Sequence, residues 1–123
     1  MNIIHHHLIL QSKVSAIYQQ DKFDVLKMFL LNLVDEIEME CLIEPQLKFS
    51  QHKAWTGLIG IVTSHISFHY WTIESYLQLD IYSCKAFPVD RTIKFVDNFW
   101  KLDNPKLLFI EREPEKEFVI KNL

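Results

Sequence analysis

Ser64, His65, His69 and Cys84 are the residues of this 123-residue chain equipped for nucleophilic chemistry. A serine hydroxyl attacks well when a base can take its proton, and a thiol can return one, so this set suits work on a carbonyl. Ser64 and His69 belong to one run, Gly57-Leu58-Ile59-Gly60-Ile61-Val62-Thr63-Ser64-His65-Ile66-Ser67-Phe68-His69-Tyr70-Trp71. Cys84 closes the next, Tyr76-Leu77-Gln78-Leu79-Asp80-Ile81-Tyr82-Ser83-Cys84. Both glycines of the protein, Gly57 and Gly60, lie just upstream of the serine. The carbonyl nearest to Ser64 is the chain's own, that of Thr63.

Two strands must carry these groups. Ile66, Phe68 and Tyr70 alternate with His65, Ser67, His69 and Trp71, and Leu77, Leu79 and Ile81 alternate with Gln78, Asp80 and Tyr82. Period two gives each strand one apolar face and one polar, aromatic face. With Thr72 to Ser75 as the connecting loop, Trp71 pairs with Tyr76, Ser67 with Asp80, His65 with Tyr82 and Thr63 with Cys84. Opposed side chains sit about 5 Å apart, so the thiol falls beside the Thr63–Ser64 peptide. His69 does not: five extended residues span roughly 16 Å. It serves its own serine only if the strand bends; otherwise it serves the serine of a second subunit.

The remaining pattern supplies the scaffold. Ile3 to Gln11 reads as a first strand, fronted by His5-His6-His7, whose alternating directions favour a strand edge or tag-like residues over a metal cluster. From Asp21, a candidate N-cap, to Leu42, the residues Leu26, Phe29, Leu30, Leu33, Val34 and Ile37 recur at helical spacing. Cys41 falls inside that pattern and reads as a small buried side chain. Pro45 marks the end of the following turn. Leu47 to Phe49 and Trp55 to Val62 read as extended, with Ser50 to Lys53 a polar interruption. Pro88 and Asp90 open a second helix with Ile93, Val96, Phe99 and Trp100 as its buried stripe. Leu107 to Glu111 and Phe118 to Lys121 form a closing hairpin around Pro114, its Glu111–Glu117 loop solvated. The order β-α-β-β-β-α-β-β predicts a single α+β domain over residues 1–123, a two-layer sandwich with an antiparallel sheet and two helices on its apolar face.

Composition narrows the partners. Apolar residues make up 49% and charged residues 24%, ordinary for a globular domain. A net charge of −3 argues against nucleic acid or an anionic membrane as partner. No apolar stretch reaches the ~18 residues of a membrane span, and the apolar start is too short for a signal peptide. Two cysteines without a framework of spacings predict a soluble, cytoplasmic, reduced protein.

The block Thr63-Ser64-His65-Ile66-Ser67-Phe68-His69-Tyr70-Trp71, followed by Asp80-Ile81-Tyr82-Ser83-Cys84, resembles the prokaryotic S-adenosylmethionine decarboxylase family. Members carry a Gly-rich apolar strand, then Glu-Ser-His-hydrophobic-Ser/Thr-hydrophobic-His-x-Trp, then an Asp-hydrophobic-x-x-Cys strand. The Ser-to-His and Ser-to-Cys spacings match without a gap. His7-Leu8 and the helix after Asp21 also fit, so the resemblance covers most of the chain. It departs at Thr63, where the family has Glu; at Thr72-Ile73, where the family has Pro-Glu and the nearest acid is Glu74; and at Gln11, in place of an acid.

The resemblance implies a proenzyme that cuts itself between Thr63 and Ser64 and converts Ser64 into a pyruvoyl group, with neither pyridoxal phosphate nor metal. His69 would drive that processing, assisted by Thr56. Cys84 would protonate the decarboxylated carbon; an ordinary thiol, with a pKa of about 8.5, holds its proton at neutral pH. Glu74 becomes the candidate for holding the substrate's ribose. The implied reaction is decarboxylation of S-adenosylmethionine, a small-molecule substrate, for spermidine synthesis. A smaller amino acid such as arginine or ornithine is an alternative substrate. An unprocessed, non-catalytic paralogue acting as a binding subunit is an alternative function. The distance from His69 to Ser64 calls for a homodimer built on the polar sheet faces, a four-layer αββα assembly with shared active sites.

Overall fold

Alternation in the sequence becomes seven strands in the computed structural model, which describes residues 4–15 and 21–123. They are β1 (His6–Val14), β2 (Cys41–Phe49), β3 (Ala54–Ile61), β4 (Ser64–Trp71), β5 (Tyr76–Ser83), β6 (Leu102–Glu111) and β7 (Val119–Asn122). Helix α1 (Phe23–Glu36) follows β1, and α2 (Val89–Trp100) follows β5. The strands form one antiparallel sheet in the order β2-β3-β4-β5-β1-β6-β7. The α+β class expected from sequence is the class found, with one strand more than the expected order. The polar interruption is a hairpin turn: Ser50 N–H donates to the Ala54 carbonyl at 2.9 Å and Lys53 takes a φ of 59°, so β2 and β3 are separate strands. β1 starts at His6 and continues past Gln11; Ile3 lies outside the described residues.

Helix α1 is shorter than its apolar pattern suggests. Its chain reverses through a C-terminal motif in which Glu38, at φ 61°, donates to the Asp35 carbonyl and Met39 N–H to that of Val34, both at 3.0 Å. Cys41 consequently lies outside the helix, at the start of β2, exposed rather than buried. At the other end Lys22, not Asp21, is the N-cap residue, and the Asp21 carboxylate instead accepts Trp55 Nε1–H at 2.6 Å. Pro45 sits within β2, where the ladder to β3 shifts register. Proline is tolerated there because β2 is an edge strand. Helix α2 begins after Pro88 and ends where Lys101 turns left-handed and Asp97 Oδ1 accepts Leu102 N–H at 3.0 Å.

Both helices cover the apolar face of the sheet. Leu26, Phe29, Leu30, Leu33 and Val34 of α1 and Val96 and Trp100 of α2 join one core with Leu8, Leu10, Ile59, Ile61, Ile66, Phe68, Leu79 and Ile81. Trp100 packs edge-on to Phe29, Phe68 and Tyr70 at centroid separations of 5.6, 6.1 and 4.8 Å. Each large apolar side chain fully buried there contributes about 1.5–3 kcal/mol. Among the described residues the opposite face carries no helix, and β4 presents His65, Ser67, His69 and Trp71 there.

Candidate active site

Strands β3 and β4 are joined by two residues, Val62 and Thr63, so the hairpin closes at the pair Ile61 and Ser64. The turn is fixed on both sides: Val62 N–H donates to the Glu40 carbonyl and Cys84 N–H to the Thr63 carbonyl, each at 2.9 Å. The β4–β5 register is the one expected, with Ser64 opposite Ser83, His65 opposite Tyr82, Ser67 opposite Asp80 and Trp71 opposite Tyr76. Cys84 lies one residue past β5, exposed and free, beside the Thr63–Ser64 peptide. Ser64 is half-buried at the head of β4. A backbone N–H on the carbonyl that Ser64 would attack is the donor such a reaction needs, placed before any charge develops.

The Thr63 side chain is also held. Its hydroxyl lies 3.0 Å from Ser83 Oγ and donates to Met39 Sδ at 3.2 Å. Ser83 Oγ in turn accepts Lys85 N–H at 3.0 Å. The sequence reading passed over Ser83, because a hydroxyl at an apolar-face position of a strand gives no signal by itself.

At the far end of β4, Thr56 Oγ1 and His69 Nδ1 are 3.1 Å apart across the β3–β4 ladder. The His69 ring lies 5.8 Å from that of Trp71. Gln78 stands opposite His69, and Gln11 opposite Gln78. The 72–75 turn follows, with Glu74 exposed and Ile73 74% exposed. β4 pairs on both sides without a register shift, so it does not fold back, and His69 stays roughly 16 Å along the strand from Ser64. One chain therefore holds two groups of candidate residues at opposite ends of β4: Thr63, Ser64 and Cys84 at one, Thr56, His69 and Glu74 at the other.

Across β4, β5, β1 and the residue after β6 lies a cluster of which sequence reasoning found only the His65–Tyr82 pair. The Tyr82 ring has His65 at 5.5 Å, His7 at 5.8 Å and the Arg112 guanidinium 4.8 Å above it. His5 Nδ1 is hydrogen-bonded to the Tyr82 hydroxyl. His7 Nε2 is 3.5 Å from Asp80 Oδ1, close enough for an ion pair but without a hydrogen-bond partner. His6 faces the other way, its ring 4.9 Å from Phe109, and burial holds its pKa below the ordinary histidine value against the opposing pull of Glu111. The available signal was parity: in a strand, His5 and His7 share a face and His6 does not.

The crystal structure of the adenosylmethionine decarboxylase from Aquifex aeolicus VF5 has the same fold. It superposes with a TM-score of 0.75 over 94% of this chain and 95% of that one, at 21% identity. No curated protein sequence matches the chain significantly. What the two share is the fold, an antiparallel sheet backed by two helices. The sequence model of S-adenosylmethionine decarboxylase matches residues 7–113, and the chain belongs to that family.

Proposed function

We propose that the chain is a self-processing decarboxylase that makes its own pyruvoyl group at Ser64 and acts on S-adenosylmethionine. The observation that carries this reading is the 2.9 Å hydrogen bond from Cys84 N–H to the Thr63 carbonyl, beside the Ser64 hydroxyl and an exposed thiol. The residues fit the group: the atom to be attacked is already polarised, and the half-buried serine lies at a turn that can be opened without breaking a strand.

In the proposed sequence Ser64 Oγ adds to the Thr63 carbonyl carbon and the peptide C–N bond breaks, leaving an ester and a free amine. Loss of the Ser64 α-proton expels the Thr63 carboxylate, and water then replaces the nitrogen as ammonia, leaving a keto group. Bound there, the pyruvoyl carbonyl supplies the electron sink for loss of CO₂ from an amino acid. Cys84 is assigned the proton that the decarboxylated carbon receives. Thr56 and His69 are assigned to processing, His69 taking or giving the proton that moves from hydroxyl to amine, with Thr56 fixing its ring. Because β4 keeps them from their own serine, they act on the serine of a second copy in a homodimer. Glu74, near the same end as His69, is assigned to the substrate's ribose.

Intact-mass spectrometry of freshly purified protein tests the reading. Two species, residues 1–63 and 64–123, are expected, the second carrying a keto group and no free amine. A single species near 14.7 kDa that survives days of incubation would refute processing and favour an unprocessed binding subunit. A C-terminal piece readable by Edman chemistry as Ser64-His65-Ile66 would mean ordinary proteolysis.

A further inference from the structure

We propose that Ser83 is a positioning residue for the opening of the Thr63–Ser64 peptide, acting through the hydroxyl of Thr63. The inference rests on the self-processing reading above and adds to it a residue that reaches the site through the Thr63 hydroxyl. Ser83 has 0% exposure and faces the core at the last position of β5. A buried hydroxyl needs partners, and this one joins three segments. Lys85 N–H donates to Ser83 Oγ at 3.0 Å, which occupies an acceptor site and leaves the Ser83 proton for Thr63 Oγ1, 3.0 Å away. The Thr63 proton is then directed to Met39 Sδ at 3.2 Å. Run from Lys85 through Ser83 and Thr63 to Met39, the chain places a proton in each of its three contacts.

The consequence falls on the peptide to be cut. Thr63 is tied through its side chain to Ser83 and through its carbonyl to the N–H of Cys84, so β5 grips one residue at two points. The acyl shift is an isomerisation: the Oγ–C bond forms, the C–N bond breaks, and the hydroxyl proton ends on the freed amine. It consumes no reagent; besides the proton transfer assigned to His69, it needs the carbonyl held at the angle the serine approaches. A turn residue able to rotate would spend most of its time at the wrong angle, and loss of orientation is costly in rate.

The test follows the uncleaved fraction by intact mass in wild type, Ser83→Ala, Thr63→Val, Thr63→Ser and the Ser83→Ala/Thr63→Val double variant, each shown to be folded by its melting transition. Ser83→Ala and Thr63→Val should each slow cleavage by about fivefold to tenfold, the cost of one positioning hydrogen bond. The double variant should be no slower than the slower single one, since both remove the same link. Thr63→Ser, which restores the hydroxyl, should cleave faster than Thr63→Val. Hydroxylamine, which cuts esters, should leave the slow variants uncut, because their amide has not yet shifted. Should Ser83→Ala fail to fold, the Thr63→Val and Thr63→Ser pair carries the comparison. The proposal is overturned if Ser83→Ala cleaves at the wild-type rate, if the two single effects multiply, if Thr63→Ser is no faster than Thr63→Val, or if hydroxylamine cuts accumulated Ser83→Ala chains at once. Wild type that never cleaves would sink the self-processing reading and this proposal together; the other outcomes leave that reading intact.

Discussion

Ser64→Ala and His69→Ala chains, made singly and then co-expressed, test whether one active site draws on two subunits. Strand β4 is paired without interruption to β3 and β5 from Ser64 to Trp71. Five strand steps put His69 roughly 16 Å from Ser64 in its own chain, whereas a proton transfer needs heavy atoms at about 3 Å. Each single variant should therefore remain uncleaved. In a two-fold dimer every site is reciprocal, so a mixed dimer holds one site with both residues intact and one with neither. With equal expression and random pairing about half of all dimers are mixed, so about one quarter of all chains should cleave. All of those should be His69→Ala chains, which supply the serine, and none should be Ser64→Ala chains. Native mass spectrometry counts the mixed dimers, and denaturing intact mass assigns the cleaved chains. Mixed dimers without any cleaved chain would place His69 in its own subunit's chemistry and refute the argument from strand geometry.

Cys84→Ala keeps the backbone N–H on the Thr63 carbonyl, so the chain should still be cut, while CO₂ release from carboxyl-labelled S-adenosylmethionine falls about 10²-fold, as for loss of a general acid. Unchanged turnover would leave the exposed thiol without a part in the reaction. Gly57→Ala should lower stability by about 1–3 kcal/mol in urea melts, because its added carbon would meet Phe68 Cε1 at 2.3 Å and Leu47 Cδ2 at 2.7 Å in a ring-packed core. A midpoint equal to wild type would mean that the core yields there. His6 is held neutral by burial, so its stabilisation is complete above the ordinary histidine pKa of about 6.5 and is lost as pH falls through the lowered folded value. His6→Phe should flatten the fall in Tm on acidification; an equally steep fall would assign it to other groups.

The β4–β5 hairpin was legible because its apolar residues alternate without a break and a short loop leaves one register. Helix α1 was legible in its stripe but not in its end. Ile37, Met39, Leu42 and Ile43 continue an apolar pattern, and the turn is made by Glu38 in a left-handed conformation that glycine or asparagine usually marks. The strand holding Cys41 was hidden for that reason, and because Pro45 reads as a turn unless the strand is known to lie at an edge. Ser64, His69 and Cys84 stood out in the sequence as residue types, and Thr56 only through the family resemblance. The Ser83–Thr63 contact was not visible, since it depends on pairing between residues twenty apart.

β1 comes from the start of the chain yet lies between β5 and β6. Cutting between residues 63 and 64 would leave β1, α1, β2 and β3 on one fragment and the remaining elements on the other. The first fragment would be threaded into the second, with β1 slotted between two of its strands and β3 laid along β4. Three ladders and a shared core would hold the halves with no peptide bond between them. An uncut chain folds as a single molecule, but a cut product, once unfolded, could reform only when two molecules meet. Its melting point would then depend on dilution. Processing would thus act as a one-way latch, after which the protein persists because it comes apart slowly and no longer because it can refold alone.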